Sequence, residues 1–72
     1  GGFLLEQMGC FMTVGQELEF IRKKSGVSIL EICNALNVSE SEYRHICSDT
    51  INPTIYQLIM FIFVCRHALS FV

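Results

Sequence analysis

The stretch GVSILEICNALNVSESEYRHICS, residues 26–48, decides the fold of this chain. It contains two short helical patterns, and only Asn37, Val38 and Ser39 separate them. Asparagine tolerates the left-handed backbone conformation that a tight turn after a helix requires. Because two short helices joined this closely must cross steeply, residues 28–48 predict a helix-turn-helix unit.

Capping boxes predict where the helices begin. In a capping box, a Ser or Thr and the Glu or Gln three residues later each accept a hydrogen bond from the other residue's backbone N–H. The chain has four such pairs, which are Thr13 with Gln16, Ser28 with Glu31, Ser39 with Glu42, and Thr54 with Gln57. Hydrophobic staples accompany two of them, formed by Val27 with Ile32 and by Val38 with Tyr43. Four boxes in register with apolar periodicity indicate four helices.

The predicted helices run from Val14 to Lys24, Ile29 to Leu36, Glu40 to Ser48, and Ile55 to about His67. Apolar residues recur in each at helical spacing. The residues expected to face the core are Leu18, Ile21, Ile29, Ile32, Cys33, Leu36, Tyr43, Ile46, Cys47, Ile55, Leu58, Ile59 and Ile62. We therefore expect an all-α fold, a compact bundle of four to five helices.

Length and composition allow one small domain. Seventy-two residues lie near the lower limit for a self-sufficient core. Hydrophobic residues make up 51% and charged residues 17%, which argues against disorder and leaves apolar surface for a partner. We divide the chain into an apolar N-terminal extension, residues 1–12, whose first residues can derive from cloning, and a helix-turn-helix domain with an apolar C-terminal helix, residues 13–72.

The apolar C-terminal run raises the question of a membrane span. Gln57, Arg66 and His67 interrupt this run, and its unbroken part is shorter than the ~20 residues that cross a bilayer. The N-terminal stretch lacks the basic start of a signal peptide. We therefore expect a cytoplasmic protein that does not enter the membrane, with this helix buried or in an interface.

The sequence offers little for metal or enzyme chemistry. It has four cysteines, namely Cys10, Cys33, Cys47 and Cys65. They form no C-x-x-C pair, so we expect reduced thiols. His45 and His67 each lie two residues from a cysteine, and on a helix that spacing directs the two side chains away from a common ion. Since no nucleophile, base and acid form a recognisable set, we expect no catalysis, metal or cofactor.

The segment from Gly26 to Ser39 resembles the Cro and XRE-type helix-turn-helix domain, the λ-repressor-like family, and aligns with it without gaps. After this segment the resemblance continues at Tyr43-x-x-Ile46 and at Asn52-Pro53-Thr54. Before it, the resemblance includes the residues from Gly15 to Arg22. It covers roughly residues 14–62. The resemblance implies a λ-repressor-like bundle in which the third predicted helix enters the major groove of DNA.

The resemblance also implies which residues contact DNA. In the family, the first residues of the third helix read base edges, while other segments hold phosphates. The positions that match are Ser39, Glu40, Ser41, Glu42, Arg44 and His45, with Lys23 and Lys24 as phosphate contacts. Among them Glu42 is expected to be turned back as the capping partner of Ser39. Glu40 can accept from a cytosine amino group, although a carboxylate also opposes the phosphates.

Several features of the chain depart from a DNA-binding pattern. The family usually has Gln where this chain has Ile29, so a hydrogen-bonding group is lost. Cys33 replaces the small Ala that keeps the two helices close, and residues 49–53 contain no Lys or Arg. The formal net charge of −2 opposes nucleic-acid binding, because such affinity depends mainly on neutralising phosphates.

The fourth predicted helix is apolar on nearly every side, so a domain this small cannot bury it completely. The resemblance implies a homodimer through Met60, Phe61, Phe63 and Val64. Two alternatives remain, in which the N-terminal extension covers this surface or the helix is an imperfectly buried core helix.

Two functions follow from the sequence. The first is a small dimeric transcription regulator that binds operator DNA through its third helix. The second is a degenerate helix-turn-helix module that has lost DNA binding and acts by protein–protein contact, as a dimerisation module or as an antagonist of a related regulator.

Overall fold

The computed structural model describes residues 12–70, which fold into four α-helices. They are α1 (Val14–Ser25), α2 (Ile29–Leu36), α3 (Glu40–Cys47) and α4 (Ile55–Leu69). The described residues contain no strand, so the fold is all-α, as predicted. All four predicted starts are confirmed, and the predicted ends differ from the observed ones by at most two residues. Residues 1–11 of the predicted extension lie outside the described part of the chain.

Local side-chain caps explain where the helices begin. Three capping boxes are complete, with hydrogen bonds of 2.9–3.1 Å in both directions, and they begin at Thr13, Ser28 and Thr54. The fourth box is only half formed. The Ser39 hydroxyl accepts from the backbone N–H of Glu42 at 3.0 Å, but the Glu42 carboxylate does not return a bond to Ser39. The prediction of a full box at α3 is therefore wrong.

The turn between α2 and α3 has the conformation that the sequence predicts. Asn37 ends α2 in the left-handed region, with φ 59° and ψ 48°. The next residue, Val38, donates its backbone N–H to the Cys33 carbonyl at 3.0 Å and so satisfies one of the last carbonyls of the helix. The chain then starts α3 at once, and α2, the turn and α3 form the helix-turn-helix unit.

One core joins the four helices. Its buried apolar side chains are Leu18, Val27, Ile32, Cys33, Leu36, Tyr43, Ile46, Phe61 and Cys65. Both members of the first predicted staple, Val27 and Ile32, belong to this core, and Val38 of the second packs against it. The core fixes α2 and α3 on a support made by α1 and α4.

The buried face of α4 differs from the predicted one. Ile55, Ile59 and Ile62 were expected to point inward, yet they are 76%, 58% and 50% exposed. Phe61 and Cys65 are the α4 residues buried in the core instead. The helix has apolar residues all round, so periodicity cannot choose a face, and packing against α1 and α2 decides which side is buried.

The start of α1 packs closely against the end of α3. A side-chain carbon on Gly15 would collide with the carbonyl of Cys47 and lie 2.7 Å from that of Ile46. The Gly15 backbone N–H donates to Asp49 Oδ1 at 3.0 Å, and Asp49 adopts a left-handed φ of 64°. This bond also lowers the pKa of the Asp49 carboxyl, together with a side-chain hydrogen bond from Thr13, which is the larger cause. The close contact fixes the position of α3 relative to α1.

No helix within residues 12–70 has both the length and the apolar content to cross a bilayer. The longest of them, α4, has 15 residues. At 1.5 Å per residue it is about 22 Å long, shorter than the ~30 Å hydrocarbon core of a membrane.

Candidate nucleic-acid interface

The α3 helix turns one side into the core and the other toward solvent. Tyr43 and Ile46, three residues apart, are each 1% exposed. The residues that the resemblance assigns to DNA contact in this region are all exposed, and they are Ser39, Glu40, Ser41, Glu42, Arg44 and His45. Because residues four apart on a helix share a face, the pairs 40 with 44 and 41 with 45 form two adjacent rows. The structure therefore places these residues on one continuous outward surface, which we call the α3 face.

Two charged side chains of the α3 face, Glu40 and Arg44, form an ion pair with each other. Arg44 donates to Glu40 Oε2 through Nη2 at 2.6 Å and through Nε at 3.2 Å. Both side chains are more than half exposed, at 64% and 58%. The hydrogen bond that Arg44 donates to Glu40 is also the main reason why the pKa of Arg44 is raised. A base that binds Arg44 must therefore share the guanidinium with Glu40 or displace this carboxylate.

The two carboxylates at the start of α3 do not make the contacts that the sequence predicts. Glu42 was expected to cap the helix and instead makes no side-chain hydrogen bond or ion pair with other residues of the 12–70 region. Glu40 had no expected partner and instead pairs with Arg44. The α3 face thus has a free carboxylate at its edge and a neutralised one at its centre.

Ser39 is already engaged by the helix that it starts. Its hydroxyl accepts the backbone N–H of Glu42, and its carbonyl accepts a weak bond from Cys33 Sγ at 3.8 Å. Burial raises the pKa of the Cys33 thiol, which keeps this side chain neutral inside the unit. Cys33 is thus a small, buried and neutral side chain between α2 and the start of α3.

The basic cluster at the end of α1 is smaller than its sequence indicates. Arg22 is 11% exposed in its side chain and donates to both carboxylate oxygens of Glu19, at 2.8 and 2.9 Å. It also donates to the Val27 carbonyl at 2.7 Å. Lys23 and Lys24 are exposed, and Lys24 Nζ lies 5.8 Å from the centroid of the Phe20 ring. Only the two lysines of this cluster remain available for phosphates.

Sequence reasoning missed the group that holds α3 in place. Glu19 accepts the Tyr43 hydroxyl at 2.7 Å in addition to the two bonds from Arg22. The Arg22 guanidinium, with help from Tyr43, lowers the pKa of Glu19 to about 2. Burial and the neighbouring Glu19 carboxylate raise the pKa of Tyr43. The spacing of Glu19 and Arg22, three residues apart on a helix, was the available signal, but nothing local pointed to Tyr43.

The surface that would hold phosphates is poor in donors. Ile29, where the family that the sequence resembles usually has Gln, is half-buried and lines a shallow cleft of about 230 Å³ beside Tyr43 and Arg44. Leu30, the next residue, is 70% exposed. In the loop after α3, the N–H groups of residues 50 and 51 already donate to the His45 carbonyl, at 2.9 and 3.2 Å.

The residues predicted for a dimer contact differ in their exposure. Phe61 is 0% exposed and lies in the core, so its assignment to a dimer interface is wrong. Met60 and Val64 are half-buried and pack against the same core. Phe63 is 64% exposed, and its ring stacks on His67 with the centroids 6.3 Å apart. Because Phe61 points into the core, the side of α4 that faces solvent is not the side that the sequence predicts.

Within residues 12–70, no three potential ligands lie close enough together to hold a metal ion. The described cysteines, Cys33, Cys47 and Cys65, are free thiols, and Cys10 lies outside the described residues. Comparisons of the chain with protein-family models, with curated proteins and with solved structures gave no match.

Proposed function

We propose that this protein is a small helix-turn-helix transcription regulator that binds operator DNA as a homodimer through α3. The observation that carries the proposal is the α3 face, a continuous polar surface on the second helix of a helix-turn-helix unit. A recognition helix must present the side chains of its first turns to base edges while its opposite side is anchored. The α3 helix meets both requirements, since Ser41, Arg44 and His45 are exposed and Tyr43 and Ile46 are buried.

Rigid support for α3 favours this function. A base-reading side chain is useful only when its backbone is held in a fixed position. Glu19 holds α3 through Tyr43, and the Gly15 contact holds its C-terminal end. These contacts come from α1, so the α3 face does not have to form on binding.

The Glu40–Arg44 pair suggests a preference for G·C base pairs. Arginine donates to the O6 and N7 atoms of guanine, and a glutamate accepts from the N4 amino group of cytosine. The pair therefore offers one partner for each base of a G·C pair. Binding requires the 2.6 Å ion pair to open, which partly offsets the gain from these contacts.

The second candidate function is a helix-turn-helix module that has lost DNA binding and acts by protein contact. Three residues favour it. Ile29 takes the place of the Gln that is usual in the family that the sequence resembles, Leu30 exposes an apolar side chain beside it, and the free Glu42 carboxylate adds a negative charge. The net charge of −2 acts in the same direction.

The experiment that tests the proposal uses a DNA site selected from random sequences with the full chain. Arg44 and His45 are changed together to alanine, and the affinity is measured by fluorescence anisotropy. We expect a loss of at least ~10-fold, as for the removal of a good base contact. The control is Glu17→Ala, which changes an exposed side chain of α1 outside the α3 face and should change the affinity by less than about twofold. Equal losses for the two variants, or failure to select any site, would reject base reading by α3.

A further inference from the structure

The solvent side of α4 carries an apolar row that contains one cation. Five exposed residues follow one another at alternating spacings of four and three, and they are Ile55, Ile59, Ile62, Arg66 and Leu69. Residues at these spacings lie along one side of a helix. The three isoleucines alone are 50 to 76% exposed. We call these five residues the α4 row.

Arg66 restricts what can cover the α4 row. It lies between Ile62 and Leu69, so any occupant that covers the whole row also meets its guanidinium. The ion pairs among residues 12–70 do not include Arg66, and burying a cation without a counter-charge costs free energy. Because α4 contains no Asp or Glu, a second α4 laid on the row would offer Arg66 no carboxylate. The row therefore fits an apolar segment that carries an acidic side chain.

Residues 3–11 of the same chain, FLLEQMGCF, have this composition. Glu6 is their one charged residue, and six of the nine are apolar, namely Phe3, Leu4, Leu5, Met8, Cys10 and Phe11. The structure describes the chain from residue 12 onward, which fixes the point where this segment is attached. We infer that residues 3–11 cover the α4 row, with Glu6 paired to Arg66.

The point of attachment allows this contact. Gly15, near the start of α1, donates its N–H to Asp49, which lies six residues before Ile55, so α1 and α4 begin at the same end of the bundle. From Glu6 to the start of α1 the chain can span up to about 20 Å. Arg66 lies about 16 Å along α4 from Ile55. Because the tether is longer than this distance, Glu6 can approach Arg66 when the segment runs along α4 toward its C-terminal end.

Covalent attachment favours this segment over a second chain. A short flexible tether gives an effective concentration of about a millimolar, whereas a second chain in a micromolar solution is about a thousandfold more dilute. The segment also avoids the loss of translational and rotational freedom that association of two chains requires. At micromolar concentration the segment therefore occupies the α4 row before a second copy does. This contact requires neither DNA nor a second chain, so it extends beyond the proposed function.

Disulfide trapping in the full chain identifies the occupant. Cys10 supplies a thiol within the segment, and Ile55→Cys places a second one at the start of the α4 row. With oxidised glutathione at micromolar protein, we expect a disulfide between Cys10 and position 55 inside single chains of 8.2 kDa, located by peptide mass spectrometry. The matched control is Leu30→Cys, a similarly exposed position on α2. It should form at least ~10-fold less disulfide with Cys10, because the bond requires Cα atoms within about 7 Å. Equal yields, or a disulfide that links two chains through position 55, would overturn the inference.

Charge reversal tests the pairing of Glu6 with Arg66. In the Ile55→Cys chain, Arg66→Glu should slow the trapping by about three- to tenfold, because like charges would then meet. Adding Glu6→Lys restores opposite charges and should return the rate to within about twofold. Adding Glu17→Lys instead gives the same net charge but changes α1, so the rate should stay low. Failure of Glu6→Lys to restore the rate, or equal recovery with Glu17→Lys, would contradict the pairing. The measurements use no DNA, so base reading by α3 keeps its own test.

Discussion

The Tyr43 hydroxyl donates a hydrogen bond of 2.7 Å to the carboxylate of Glu19, which lies 24 residues earlier in the chain. Since Glu19 also binds Arg22, and Arg22 binds the Val27 carbonyl, this carboxylate joins α1, α3 and the segment before α2. The position of the proposed DNA-reading helix therefore depends on a partly buried polar contact as well as on the core.

Removing the Tyr43 hydroxyl should weaken this connection. We expect Tyr43→Phe to lower the free energy of unfolding by about 1 to 2 kcal/mol, since a hydrogen bond to a charged group is lost inside the protein. Urea denaturation gives the value. Tyr56→Phe is the matched control, because Tyr56 is 64% exposed, and it should change the stability by less than about 0.5 kcal/mol. Equal effects would mean that the Glu19–Tyr43 bond does not contribute to stability.

Acid should weaken the same connection. The folded pKa of Glu19 is about 2, below its ordinary value of 4.5. A carboxyl with a depressed folded pKa stabilises the fold above its unfolded pKa, and this contribution is lost as the pH falls toward the folded pKa. The stability difference between the wild type and Glu19→Gln should be constant above about pH 5.5 and shrink between pH 4.5 and pH 2. A difference that does not change with pH would contradict this role.

Gly15 should be intolerant of a side chain. Gly15→Ala adds a carbon that would collide with the Cys47 carbonyl at the end of α3. We expect a loss of about 1 to 3 kcal/mol in stability from overpacking. An unconstrained glycine in a helix would show the opposite sign, since Gly→Ala there stabilises by about 0.5 to 1 kcal/mol. Thermal unfolding beside Glu17→Ala, an exposed control on α1, decides between the two signs.

Glu40 should limit DNA affinity. Glu40→Gln removes a negative charge from the α3 face and releases Arg44 from its ion pair. We expect affinity for non-specific duplex DNA to rise roughly three- to tenfold at low salt, because phosphates no longer face this carboxylate. Glu17→Gln makes the same change of charge on α1 and should have a smaller effect. If the two variants behave alike, the α3 face is not the surface that contacts DNA.

The sequence predicts the parts of the fold that depend on residues close together in the chain. Capping boxes act over three residues, and the turn at Asn37 acts over four, so their patterns are visible without a structure. The half-formed box at Ser39 shows the limit of this reasoning. Carboxylates in a first turn can cap the helix or pair with a cation one turn later, and here Glu40 pairs with Arg44 while Glu42 does neither.

The remaining features depend on contacts between distant residues. Because α4 is apolar all round, its sequence carries no mark of which side is buried, and only packing against α1 and α2 brings Phe61 inward. Tyr43 occupies an apolar position in its helical pattern, so the partner of its hydroxyl on α1 is not visible in the sequence. Both features became apparent only with the structure, and they determine which side of α4 faces solvent and how α3 is supported.

Binding of DNA by the α3 face is tested most directly by a titration of the full chain against random-sequence duplex DNA at about 50 and 200 mM salt. We predict a Kd on the order of 10⁻⁴ to 10⁻⁶ M at the lower salt and a loss of affinity of at least tenfold at the higher one, because phosphate contacts release counterions. Absence of binding at the lower salt, with the protein folded, would contradict the claim and favour a module that acts by protein contact.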